Sequence, residues 1–107
     1  MPNHKNRNDA KGNFSIYKIF LNTILFKFGK ADSDRITASS GLPTRLHQQI
    51  RKLVAQGFSV AFEIITYLFS ATTKEAKNVE DEYVENYKKE TGKYPAENKQ
   101  HQKKKKK

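Results

Sequence analysis

A chain of 107 residues has room for one small domain with tails, and a hydrophobic content of 36% leaves it a modest core, which favours a homodimer. The absence of cysteine excludes a disulfide framework and any thiolate metal site. The net charge of +10 is carried mainly by the ends: residues 1–13 hold three basic and one acidic residue, residues 93–107 seven and one, and the long middle eleven and nine. This divides the chain into a disordered basic N-terminal arm (1–13), a single small helical domain (14–92) and a disordered Lys-rich tail (93–107).

From Phe14 the chain becomes strongly apolar, FSIYKIFLNTILFKF. Helical spacing puts Phe14, Tyr17, Leu21, Leu25 and Phe28 on one face and Ile16, Ile19, Phe20 and Ile24 on the adjoining one, so an N-terminal buried helix is expected, stopped by Gly29. The competing reading is a pair of β-strands, since Phe, Ile, Tyr and Thr are good strand formers. Lys18, Asn22 and Lys27 interrupt the run, and about 20 apolar residues are needed to span a bilayer. With no targeting segment in view, a cytoplasmic protein without membrane contact is expected.

The stretch RITASSGL then alternates, Ile36, Ala38, Ser40 and Leu42 on one face and Arg35, Thr37, Ser39 and Gly41 on the other, as a strand would. Pro43 suits the start of a helix. From about Thr44 to Gln56, Leu46, Ile50, Leu53 and Val54 form an apolar stripe, with Arg45, Gln49, Arg51 and Lys52 around the rest. Gly57 supplies a left-handed stop. Ser59 can cap a second helix, with Ala61, Ile64, Ile65, Leu68 and Phe69 on one side. Residues 35–62 hold four basic residues and no acidic one, a footprint suited to nucleic acid.

Strand, Pro43, the run IRKLVAQ, the corner Gly57-Phe58-Ser59 and the following VAFEI together resemble the ribbon-helix-helix DNA-binding family of the Arc repressor type, over residues 35–71. The resemblance implies a mainly α dimer whose paired strands enter the major groove. Arg35, Thr37 and Ser39 would then meet base edges, and Ser59 and Val60 would offer backbone N–H groups to a phosphate. The alternative is an all-α helix-turn-helix domain. There Asp34–Ser40 is a helix, Gly41 the turn and Thr44–Gln56 the recognition helix, with Arg45, Gln48 and Gln49 reading DNA.

A last helix is expected from Thr73 to Glu90, with Ala76, Val79, Tyr83 and Tyr87 in a narrow stripe, ended by Thr91-Gly92 and Pro95. The histidines His4, His47 and His101 are scattered, no metal-ligand spacing occurs, and Glu80, Asp81, Glu82 and Glu85 read as a solvated helix face. No nucleophile elbow or phosphate-binding glycine loop is present. The expectation is a non-enzymatic protein with no catalytic residue, metal, cofactor or small-molecule substrate. It would be a dimeric, sequence-specific binder of double-stranded DNA: a transcriptional repressor or an accessory factor of a plasmid, phage or mobile element, nucleoid-associated when bound. The alternative is a protein-interaction module, an adaptor or inhibitor with a basic tail.

Overall fold

The computed structural model describes residues 11–96. Five elements follow in order: β1 (Lys11–Leu21), β2 (Ile24–Asp32), α1 (Thr44–Ala55), β3 (Val60–Thr72) and α2 (Thr73–Thr91). The strands form one antiparallel sheet in the order β2-β1-β3, so β1 is central and α1 carries the chain across it from one outer strand to the other. This is an α+β fold. It overturns the expected mainly α architecture and with it both the ribbon-helix-helix and the helix-turn-helix arrangements.

The correction begins at residues 14–28, which form most of a β-hairpin and not a buried helix. Asn22 and Thr23 both take positive φ, 51° and 72°, as a two-residue hairpin turn requires. The apolar run mimics a helix because β1 is covered on both faces. Tyr17 and Ile19 point into a core with Leu46 and Leu53 of α1, joined by Leu21, Phe26, Ile50, Val60 and Ile64. On the other face Phe28, paired across the sheet with Lys18, stacks on Tyr83 of α2 at 5.7 Å between ring centres and meets Tyr87 edge-on at 6.2 Å. A strand apolar on both sides loses its period-2 signature, and any continuous apolar run also satisfies a 3.6 period.

Phe26 and Phe28 reach opposite faces because β2 carries one extra residue. Ile19 pairs with Lys27 and Phe20 with Leu25, which leaves Phe26 without a cross-strand partner of its own. Gly29, expected as a helix stop, instead lies in β2 directly opposite Tyr17. A Cβ there would come within 2.5 Å of the Tyr17 ring. The glycine is needed for a close approach and not for a turn.

Residues 35–42 are neither strand nor helix. They form a loop closed by an isolated bridge between Ile36 and Pro43 and pinned to the start of α1 by Thr44 N donating to the Arg35 carbonyl at 2.8 Å. Helix α1 matches expectation, with Pro43 at its start and Gly57 left-handed (φ 97°) just past its end. The second helix expected from Ser59 is strand β3. Its run VAFEIITYLF is rich in the β-branched and aromatic residues that favour a sheet. The last helix runs from Thr73 to Thr91, as its stripe indicates, and Thr72 and Glu75 form a reciprocal capping box at its start. Gly92 closes it in the left-handed region. Strand β1 begins at Lys11, inside the stretch assigned to the arm; residues 1–10 and 97–107, the rest of the arm and most of the tail, lie outside the described residues.

Candidate functional site

The C-terminal end of β2 and the N-terminal turn of α1 enclose a cleft of about 760 Å³, lined by Lys30, Asp32, Asp34, Arg35, Thr44, Arg45 and Gln48 among others. Sequence separates these residues into two groups, one at the end of β2 and one on α1. The loop between them brings the groups together, because its ends are tied by the Ile36–Pro43 bridge. Three basic residues, Lys30, Arg35 and Arg45, contribute to the lining of one concavity. Arg35 sits 3.9 Å from the Asp32 carboxylate at its rim, and both side chains are well exposed, so the ion pair adds little stability.

Behind the cleft lies Tyr17, fully buried. Its hydroxyl accepts a hydrogen bond from Gln49 Nε2 at 3.1 Å. Burial pushes its pKa up to about 12, against the pull of the nearby Arg45 guanidinium and with a further push from Glu80. The phenol is therefore neutral at any physiological pH. Arg45 and Gln49 stand one helical turn apart on α1, so both reach the same hydroxyl. The Tyr17 hydroxyl thereby meets the Arg45 guanidinium.

Glu80 of α2 lies within electrostatic reach of Tyr17 and of Lys27 and Lys30 of β2. Partial burial raises its pKa, opposed by Lys77, Lys30 and Lys27. The carboxylate cluster 80–85 is expected as a solvated helix face, but Glu80 turns inward among lysines from β2. Burial alone outweighs the lysines here, and buried carboxyl groups with displaced pKa values recur at functional sites. Tyr17, Lys30, Arg45 and Glu80 thus form one electrostatically coupled group drawn from β1, β2, α1 and α2. Among the described residues, no three or more metal-ligating side chains gather.

Of the residues expected to touch DNA, the structure brings Arg35 and Arg45 together in the cleft. Thr37 lies in the loop, its N–H donating to the Leu42 carbonyl at 2.9 Å, and Ser39 is exposed in the following turn. Neither stands on a strand, so neither is presented by a ribbon. Ser59 precedes β3 and is tied to the hairpin turn, its N–H donating to Asn22 Oδ1 at 3.2 Å while its carbonyl accepts from Asn22 N–H at 2.8 Å. Val60 packs against the core under α1. No helix begins at these two residues, so they offer no helix N-terminus to a phosphate. His47 bonds Ser40 Oγ through Nδ1 at 2.9 Å and holds the loop. Sequence reasoning does not reach Tyr17, Lys30 or Glu80 as site residues. Tyr17 reads as one more ring in an apolar run, and nothing in the order of the chain joins it to Glu80.

Among the described residues, no helix is long and apolar enough to cross a membrane. No protein-family model matches the chain, and no curated protein or solved structure shows significant similarity to it.

Proposed function

We propose that the chain binds the sugar–phosphate backbone of nucleic acid in the cleft between β2 and α1. The observation that carries this is the convergence of Lys30, Arg35 and Arg45 on one concavity. Guanidinium groups match phosphate oxygens in paired hydrogen bonds. Helix α1 adds Arg51 and Lys52 and carries no acidic residue. The net charge of +10 supplies long-range attraction to a polyanion. The asymmetry of the fold gives no reason to require a dimeric ribbon, so binding in this form needs only one copy.

A second reading, phosphodiester cleavage, is favoured by Glu80. A carboxylate with raised pKa beside lysines is suited to take a proton from water, and Arg45 and Lys30 are suited to the charge that develops on a phosphate under attack. In that step water adds to phosphorus, one P–O ester bond breaks, and the proton removed from water ends on the departing oxygen or in solvent.

The test is binding of the full chain to duplex and single-stranded oligonucleotides across a salt series, together with incubation on supercoiled DNA in magnesium buffer. Arg45→Ala and Lys30→Ala are expected to weaken binding to every sequence and to reduce the salt slope by about 0.7–0.9 for each phosphate that is no longer neutralised. Unchanged affinity and slope in both variants would overturn the cleft as the binding site. Nicking that is lost in Glu80→Gln while binding persists would establish the second reading; nicking equal in parent and Glu80→Gln would remove it.

A further inference from the structure

Strand β3 presents a row of aromatic rings that stand partly or mostly in solvent among the described residues. Phe62, Tyr67 and Phe69 are 40%, 56% and 74% exposed. Cross-strand pairing fixes the side on which they stand. Phe62 lies opposite Ile19 and Tyr67 opposite Ser15, which share a face of β1 with Tyr17, and Phe69 follows two residues after Tyr67. This is the face that α1 covers over β1, so the rings share a face of the sheet with the basic helix. Phe58, 38% exposed, extends the row at the loop after α1. The strand itself carries one charge in 13 residues, Glu63, and that carboxylate is 3.5 Å from Lys18 Nζ.

We propose that Phe62, Tyr67 and Phe69 form a stacking platform for unpaired bases, so that the chain takes single-stranded nucleic acid across this face. The inference rests on the nucleic-acid reading and names its substrate class. The four uncovered side chains of the row are all rings, whereas a covered protein interface on a strand is as well served by Val, Ile and Leu. Rings on an open sheet beside a basic groove are the physical requirement for holding bases by their flat faces. Charge complements this placement: α1 carries Arg45, Arg51 and Lys52 and no acidic residue, and phosphates linking stacked bases must lie against such a surface. Residues 1–10 and 97–107 are mostly polar and together carry eight basic residues, a composition with little apolar surface to offer the row. The edge is also unsuited to a long strand partner. Ile65 is an extra residue against β1, the register shifts again past Leu68, and Ser70 takes a positive φ of 53°, irregularities that interrupt edge pairing.

The experiment compares the full chain with Tyr67→Ala, Phe69→Ala, Phe69→Leu and Phe69→Tyr for affinity to a single-stranded oligonucleotide and to the matching duplex, with sedimentation of each protein. Both alanine variants should lose about 5- to 150-fold in single-strand affinity, which is stacking worth about 1–3 kcal/mol per base converted at 1.4 kcal/mol per tenfold. Duplex affinity and salt slope should stay at the parent's values. Phe69→Leu should fail to restore single-strand binding, whereas Phe69→Tyr should keep it. Single-strand affinity preserved in Phe69→Leu overturns the proposal, as does a parent dimer that dissociates on Phe69→Ala, which would make the row an interface with a second copy. Failure here with intact effects of Arg45→Ala leaves the cleft standing. Loss of the Arg45→Ala effect alone removes the cleft and keeps the platform.

Discussion

The two outer strands of this sheet share a central partner and differ in nearly everything else. Strand β2 holds Lys27, Lys30 and Asp32 within nine residues, lies against both helices and ends at the basic cleft. Strand β3 holds a single charge in 13 residues and leaves three rings exposed. The difference follows from where α1 sits. Leu46, Ile50 and Leu53 anchor the helix over Tyr17, Ile19 and Ala31, so one face of the sheet is closed on the β2 side and open along the outer side of β3. A three-stranded sheet offers more apolar surface than one helix of 12 residues can cover. What remains uncovered is available for binding.

The largest effect should come from removing the cover. Leu46 is fully buried against Tyr17, and Leu46→Ala should destabilise the fold by about 2–5 kcal/mol, the lost burial plus a cavity that the sheet cannot fill. Phe69→Ala, on the same sheet and the same face, should change stability by less than about 0.5 kcal/mol, because its ring stands mostly in solvent. Urea denaturation of the two variants measures the contrast directly. Comparable losses would mean that β3 is covered after all and would erase the difference between the strands.

Gly29→Ala should come next, at about 1–3 kcal/mol from overpacking. The added methyl overlaps the Tyr17 ring, which is itself fully buried and has nowhere to move. A double-mutant cycle with Tyr17→Ala sharpens the point. The penalty for Gly29→Ala should largely vanish once the ring is gone, giving a coupling energy within the range expected of touching residues. An undiminished penalty would place its cause in the backbone of β2.

These two sites also show how much of the molecule can be read in the chain. Helix α1 is legible because one face alone is buried, so Leu46, Ile50 and Leu53 stand out against Arg45, Gln49 and Arg51. Helix α2 is legible from its narrow stripe and from Gly92, which marks its end, whereas the capping box of Thr72 and Glu75 emerges only in the structure. The strands are not. Tyr17 and Ile16 are buried on opposite sides of β1, which removes the alternation that marks a half-buried strand. Asn22-Thr23 is a weak turn signal, since a β-branched residue rarely takes positive φ. The cleft is legible in half: Arg35 and Arg45 stand near one another in sequence, whereas Lys30 joins them only through the bridge at Ile36 and Pro43, and Tyr17 and Glu80 only through the assembled sheet.

Thr72→Ala tests the junction where exposed β3 passes into α2. It removes the side chain that accepts from Glu75 N–H at 3.0 Å and should destabilise the protein by about 1 kcal/mol. Serine at the same position should restore most of that loss, because the hydroxyl and not the methyl makes the cap. Thermal unfolding of the two variants is sufficient to tell.

The smallest effect concerns two carboxyl groups on α2 whose pKa values move in opposite directions from an ordinary 4.5. Glu75 is held below that value by the hydrogen bond from the Thr72 backbone N–H, so its contribution to stability is present above pH 4.5 and is lost as the pH falls through its lowered value. Glu80 is raised, first by burial, so the native state binds its proton more tightly than the unfolded chain. Its contribution is complete below pH 4.5 and is lost as the pH rises through its elevated value. Glu75→Gln should therefore be less stable than the parent at pH 7, with the gap narrowing in acid. Glu80→Gln should be the more stable protein at pH 7, and its advantage should disappear below about pH 4.5. Urea melts of the three proteins from pH 3 to 8 separate the two behaviours; curves that stay parallel would deny Glu80 its inward environment. The sign at Glu80 therefore reports whether the carboxyl group is drawn inward from solvent, while that at Glu75 reports the helix cap.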